Sequence, residues 1–226
     1  MKTFQFTLKG TSPLLLHADN IDWSDRMKAW GDNPQNKKDS VAGDDRTPAF
    51  RWIGCLDHDG TNAGIPAENL MKCLLRAAVQ VPIPGNRMRK TFKSEVMSEM
   101  VCDAPLFPLA ASGKKIDMKK VEKLMGVKEY AAHQTEVATM GFALFAKRAR
   151  VGTSKHIRVR PKLDAWALSG TVTVWDDKLA KALPEIFEIA GRKIGLGDWN
   201  PGGKTPGPYG RFTADIKEVS RRSEAA

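Results

Sequence analysis

Two stretches of this 226-residue chain gather cations with no acid between them. One is Arg87-Met88-Arg89-Lys90-Thr91-Phe92-Lys93. The other runs from Lys147 to Lys162 and carries Lys147, Arg148, Arg150, Lys155, Arg158, Arg160 and Lys162, with His156 among them. Seven positive side chains in sixteen residues repel one another unless an anion sits opposite. A phosphate backbone answers that need, because binding it releases condensed counterions. In Arg158-Val159-Arg160 the alternation of a strand sends both guanidiniums to one face. A third stretch has a different chemistry: residues 195 to 210 hold six glycines and three prolines. Backbone with so few side chains, at Gly195, Gly197, Gly207 and Gly210, approaches a partner closely and can cradle phosphate. Lys204 and Arg211 add charge there. Trp199 and Tyr209 add rings that either stack on bases or pack the loop onto a sheet.

Catalytic candidates are few. General acid–base work on RNA needs a proton donor and an acceptor near one 2′-hydroxyl and its phosphate. His17 is the best-placed histidine, but no second histidine or tyrosine pairs with it in the sequence, so a structural or RNA-contact role is the reading taken. Gly203-Lys204-Thr205 is no Walker loop, because it follows a helical pattern and precedes Pro206. No GxSxG elbow or Cys–His arrangement is present. Cys55, Cys73 and Cys102 form no CxxC pair, which fits buried thiols in a reducing cytosol and argues against structural zinc. Cys55 and His58, three residues apart, read as packing and surface residues. No cofactor and no metal are expected.

The formal charge is +10, with 36 basic against 26 acidic residues, and 42% of residues are hydrophobic. Mean hydropathy is −0.38, as for a soluble globular protein. No run reaches the roughly 18 apolar residues of a membrane span. The start, Met1 to Phe6, alternates polar and apolar and lacks a secretory block. A cytoplasmic protein with no membrane partner is the expectation. Charge is unevenly spread: residues 18 to 59 hold nine aspartates against six basic residues, leaving about +13 for the remainder.

The elements that must position these groups follow from periodicity. Residues 3 to 9 read as a strand with Phe4, Phe6 and Leu8 on one face, followed by Leu14-Leu15-Leu16. Residues 18 to 49 read as a long loop with a possible helical turn from Trp23 to Trp30. Phe50 to Leu56 is expected as a strand, with a turn at Asp57 to Gly60. Pro66 suits a helix start, and Leu70, Cys73, Leu74, Ala77 and Val81 form its apolar stripe, ended by Pro82 and Pro84. Glu95 to Cys102 reads as a strand ended by Pro105 and Pro108. Asp117 to Met125 reads as a short charged helix, and Glu136 to Ala146 is ambiguous. Arg148 to Val151 and Lys155 to Arg160 form a hairpin around Gly152. Ala165 to Trp175 alternates as a strand. Asp176 or Asp177 caps a helix over 178 to 193, and Arg211 to Val219 closes the chain as a strand.

Stripped of insertions, the order is strand, helix, strand, strand, helix, strand. That is the α+β, ferredoxin-like (RRM-like) βαββαβ order, here with large insertions and a C-terminal glycine-rich loop. One domain over 1–226 is more economical than two, since the first and last strands belong to one sheet.

Gly195-Leu196-Gly197 and Gly207-Pro208-Tyr209-Gly210-Arg211-Phe212, set between a helix and the last strand, resemble the glycine-rich loop of the RAMP superfamily of CRISPR-associated RNA-binding proteins. Ile65-Pro66-Ala67-Glu68-Asn69-Leu70-Met71-Lys72-Cys73-Leu74-Leu75-Arg76 is similar to that family's first helix, and Pro13-Leu14-Leu15 fits its opening strand. The resemblance covers residues 3 to 17, 65 to 76 and 165 to 218. It implies a guide-RNA-coating backbone subunit in a compact phage or mobile-element version, serving antiviral defence, with insertions at about 18–64 and 103–146. Copies would multimerise along a guide RNA whose base pairing selects a complementary target nucleic acid. The contacts expected are Arg87, Arg89, Lys90, Lys93, Arg148, Arg150, Lys155, His156, Arg158, Arg160, Lys204 and Arg211. Two cleavage chemistries occur among such proteins: a histidine acid or base, for which His17 stands, and a loop aspartate with a metal, for which Asp19, Asp22 or Asp25 stands, Asp22 foremost. The alternatives are an endoribonuclease that processes repeat RNA and a structural or assembly protein of a mobile element.

Overall fold

The opening strand β1 (Lys2–Gly10) buries Phe4, Phe6 and Leu8 and leaves Gln5 and Lys9 exposed. That alternation decides which side of the sheet becomes core. In the computed structural model, which describes residues 1–85, 88 and 90–219, the order continues through β2 (Leu14–Leu15), α1 (Ile21–Asp32), β3 (Asp57–His58), β4 (Ala63–Pro66) and α2 (Ala67–Ala78). Next come α3 (Lys93–Ser98), β5 (Met100–Cys102), β6 (Leu106–Ala111), β7 (Lys114–Lys115), α4 (Met118–Lys123) and α5 (Tyr130–Thr139). The chain finishes with β8 (Ala143–Val151), β9 (Ser154–Leu163), β10 (Trp166–Val174), α6 (Asp177–Ile189) and β11 (Phe212–Val219). Arg87 and Arg89, two of the expected RNA contacts, lie outside the described residues.

The larger sheet runs β11-β1-β10-β6-β4-β3, with β5 also on β10 and β7 on β6, and its strand pairs are antiparallel. A second sheet, β2-β9-β8, holds the cationic hairpin. The molecule is α+β. Helices α2 and α6 contact each other, and α6 also contacts β10 and β11. Phe6 meets Phe107 edge-on at 5.2 Å and Phe187 at 5.5 Å, which joins β1, β6 and α6 in one core. Asp176 caps α6 by accepting from the Leu179 N–H at 2.6 Å, as its residue type predicts. The helix carries Pro184 inside it and ends in a π turn, Ala190–Ile194.

Several elements differ from their sequence pattern. Residues 21 to 32 form three helical turns, capped by Asn20, whose side chain accepts from the Trp23 N–H at 3.0 Å. Phe50 to Leu56 is not a strand: Arg51–Cys55 is a 3-10 turn that buries Trp52, Ile53 and Cys55 together, and its apolar run suits burial on every side. The expected turn at 57–60 begins with the short strand β3. The first half of Glu95 to Cys102 is helical, because Val96 alone docks on the core there, and only Met100–Cys102 reaches β10. Pro108 sits inside β6 instead of ending a strand. It stands where the strand passes from pairing with β4 to pairing with β10, a place where a missing N–H is tolerated.

Candidate nucleic-acid interface

The β8–β9 hairpin is the base of the site. Its register places Lys147 opposite Arg158, Phe145 opposite Arg160, and Arg150 opposite Lys155. Directly opposed residues share a face, so Lys147, Arg158 and Arg160 lie on one side while Arg148, Arg150 and Lys155 lie on the other. The expected shared face of Arg158 and Arg160 is present, but those two are not free. Asp45, from the first insertion, is buried against β9: its N–H donates to Ile157 O at 3.0 Å and its carboxylate accepts from Val159 N at 3.3 Å. Arg158 Nη1 reaches Asp45 at 3.0 Å, Arg160 at 3.8 Å and Arg51 at 4.0 Å. Lys162 pairs with Asp164 at 3.0 Å. Lys147, Arg148, Arg150 and Lys155 are exposed and make no ion pair among the described residues.

The 195–210 loop folds over the hairpin. Lys147 Nζ lies 3.6 Å from the centre of the Trp199 ring. Trp199 and Tyr209 meet in a tilted pair with centroids 5.6 Å apart, and Tyr209 meets Phe145 at 6.1 Å. The rings therefore pack the loop onto the sheet, and each remains partly exposed. Backbone bonds pin the loop: Asp198 N to Leu15 O at 2.8 Å, Leu196 N to Gly210 O at 2.9 Å, and Gly210 N to Pro13 O at 2.7 Å. Gly195 N and Gly207 N are also bonded internally, to Ala190 O and Asn200 O. These glycines thus shape the loop, while Gly197 is exposed on its surface. Arg76, at the end of α2, donates to Gly202 O at 2.8 Å.

Three clefts meet here. One of about 610 Å³ lies between hairpin and loop, with Lys147, Arg148, Trp199 and Lys204 in its wall. One of about 580 Å³ lies between the loop and α2, lined by Lys72 and Arg76. One of about 630 Å³ lies between β9 and the first insertion. The first two share Gly197, Asp198 and Asn200, the first and third share Arg158 and Arg160, and the last two share His17. At the junction Arg160 Nη2 lies 3.2 Å from His17 Nε2, and Asp198 lies 3.4 Å from Arg160 Nε and 3.8 Å from His17 Nδ1. A guanidinium only donates, so His17 Nε2 accepts and the ring proton sits on Nδ1, toward Asp198. Burial, then the Arg160 charge, holds the His17 pKa below its usual 6.5. The lone pair a general base would use is thereby occupied by Arg160.

The other expected contacts are scattered. Lys90 and Lys93 are exposed around the start of α3 and line none of these clefts. Arg211 donates to Arg192 O and lines a separate cleft of about 350 Å³. His156 rests against Gly43 on the insertion. Asp22 and Asp25 are exposed on α1, outside the clefts, whereas Asp19 lines the third. Arg51 and Asp45 carry no signal in sequence that would join them to the site, whereas Lys72 and Arg76 lie in the 65–76 stretch and Asp198 in the glycine-rich loop, though the expected contacts pass them over. Burial pushes the Cys55 thiol up to about 11 and the Cys73 thiol up to about 12, which keeps both protonated at neutral pH. Among the described residues no group of three His, Cys, Asp or Glu could hold a metal ion, and no helix is long and apolar enough to cross a membrane.

No family model matches the chain, and no curated protein matches it. Among solved structures, the crystal structure of Cmr6 from Pyrococcus furiosus is a weak neighbour, with a TM-score of 0.36 and 12% identity over 93% of this chain and 97% of that one.

Proposed function

We propose that this chain binds single-stranded RNA in the joined clefts around Arg160, as a guide-RNA-coating subunit of the RAMP kind. Copies would line up along one guide, and base pairing by the guide would select the target nucleic acid. The observation that carries the reading is the meeting of three clefts beside the exposed Lys147 and Arg148, neither in an ion pair among the described residues, with Lys204, Lys72 and Arg76 in their walls. The strand order β11-β1-β10-β6, with α2 following β1 and α6 following β10, supports a ferredoxin-like core in a single domain with the two insertions. Charge distribution supports a polyanion as the partner.

The test is binding of a labelled single-stranded RNA, followed by anisotropy across a salt series. The unmodified chain is expected to bind with an affinity that falls steeply with salt. Arg148→Glu with Lys204→Glu, both exposed on the first cleft, should weaken binding and lower the salt slope by roughly 1.4, or about 0.7 per phosphate contact. RNA should also elute with the purified protein. Absence of RNA binding by intact protein at low salt overturns the reading.

A further inference from the structure

Three guanidiniums, those of Arg51, Arg158 and Arg160, converge on the single buried carboxylate of Asp45. All three line the third cleft, beside Trp23. The acids facing this cluster are Asp45, Asp19 in the cleft wall, and Asp198, which takes the Nε of Arg160. Two N–H groups on residues that line this cleft have no hydrogen-bond partner, Arg51 Nε and Trp23 Nε1. Both sit just below its surface, the Trp23 indole edge against Gly54, so a ligand reaches them once these two side chains turn outward. Guanidinium and indole nitrogens donate and never accept. The cleft therefore has a surplus of donors, some of them orphaned, and buried donors are ordinarily satisfied. The three guanidiniums are matched in charge by the three carboxylates but not in hydrogen bonds, so a ligand that completes the cleft must bring several acceptor oxygens; a phosphate group does, and arginine's fork matches its geometry.

We infer that Arg51, Arg158, Arg160 and Trp23 form a phosphate seat that holds the RNA strand as it leaves the hairpin cleft past Arg160. Asp45 keeps the arginines gathered in the free protein. This rests on the RNA-binding reading, since that reading supplies the strand. Neither Arg51 nor Trp23 belongs to an acid-free basic block, so the seat extends the hairpin surface, through Arg158 and Arg160, onto the first insertion.

The experiment uses the full chain with a short oligouridine labelled at its 3′ end, prepared with a 5′-hydroxyl or a 5′-phosphate. Arg51→Met is expected to raise the dissociation constant roughly tenfold and to lower the salt slope by about 0.7, one phosphate contact. Trp23→Phe, which keeps a ring and deletes only the N–H, should raise it a few-fold. Loss confined to the 5′-phosphorylated oligomer places a terminal phosphate in the seat, while equal loss for both oligomers places an internal phosphodiester there. Variants that melt with the unmodified chain and bind with its affinity and slope overturn the seat and leave the RNA reading standing. No RNA binding by the unmodified chain overturns both. Where Arg51→Met fails to fold, Trp23→Phe decides alone.

Discussion

Arg160 touches Asp45, Asp198 and His17, so the charge of the junction depends on whether His17 is neutral. Its pKa is lowered in the folded chain, by burial first and Arg160 second. The unfolded chain therefore takes up a proton at His17 before the folded chain does. The stability that neutral His17 contributes is complete above about 6.5, the unfolded value, and is lost as pH falls through the folded pKa. His17→Gln keeps an acceptor for Arg160 and does not titrate. Denaturant midpoints measured above and below pH 6.5 should show the unmodified chain losing more stability on acidification than the variant. Parallel pH profiles would sink this account. His133 shows the limit of sequence reading at this scale, where it has no visible partner. In the fold it is fully buried, accepting from Trp52 Nε1 at 3.0 Å and contacting Val127 O at 3.0 Å. Its indole partner lies 81 residues away, so local pattern carries no trace of the pair.

At the scale of elements, the glycine loop was legible as a loop but not as a pinned one. Gly210 has φ +75°, and a Cβ there would collide with Leu196 O; Gly197 has φ +73°, and a Cβ would collide with Leu15 O. Gly210→Ala is expected to cost about 2–4 kcal/mol, combining a left-handed φ with forced displacement of backbone. Denaturant unfolding measures it, and a loss below about 0.5 kcal/mol would mean that the loop shifts freely. Binding of RNA should weaken in the same variant, because Trp199 and Lys204 ride on that loop. The hairpin was legible because period-two alternation is local, and its bounds merely extend to Ala143–Val151 and Ser154–Leu163. The 3-10 turn at Arg51–Cys55 and helix α3 were misread because short apolar runs look alike in strand and helix. Tertiary burial settles which one forms.

For the molecule as a whole, the two faces of the larger sheet divide the work. The inner face carries Phe4, Phe6, Leu8, Leu168, Val172 and Phe212 against the core. The outer face presents Gln5, Thr7, Ser169, Thr213 and Lys217, with Thr7 Oγ1 and Ser169 Oγ 3.0 Å apart. No ring stands on that side of β1 or β11, so it offers no stacking platform of the kind base-binding sheets use. Gln5→Glu with Thr7→Glu should leave RNA affinity within about twofold, whereas Arg148→Glu with Lys204→Glu lowers it. Equal losses from both pairs would move the interface to the sheet. The sequence by itself determined the apolar stripes, the capping of α6, the cationic hairpin and the side-chain-poor loop, since each depends on neighbours a few residues apart. Only the tertiary structure decided that Arg158 and Arg160 meet Asp45 and Asp198, while Lys147, set over the Trp199 ring, and Arg148 make no ion pair among the described residues and line a cleft. Asp45 is 113 residues from Arg158 in sequence, and an ion pair at that range exists only where packing of the whole chain has already brought the two segments together.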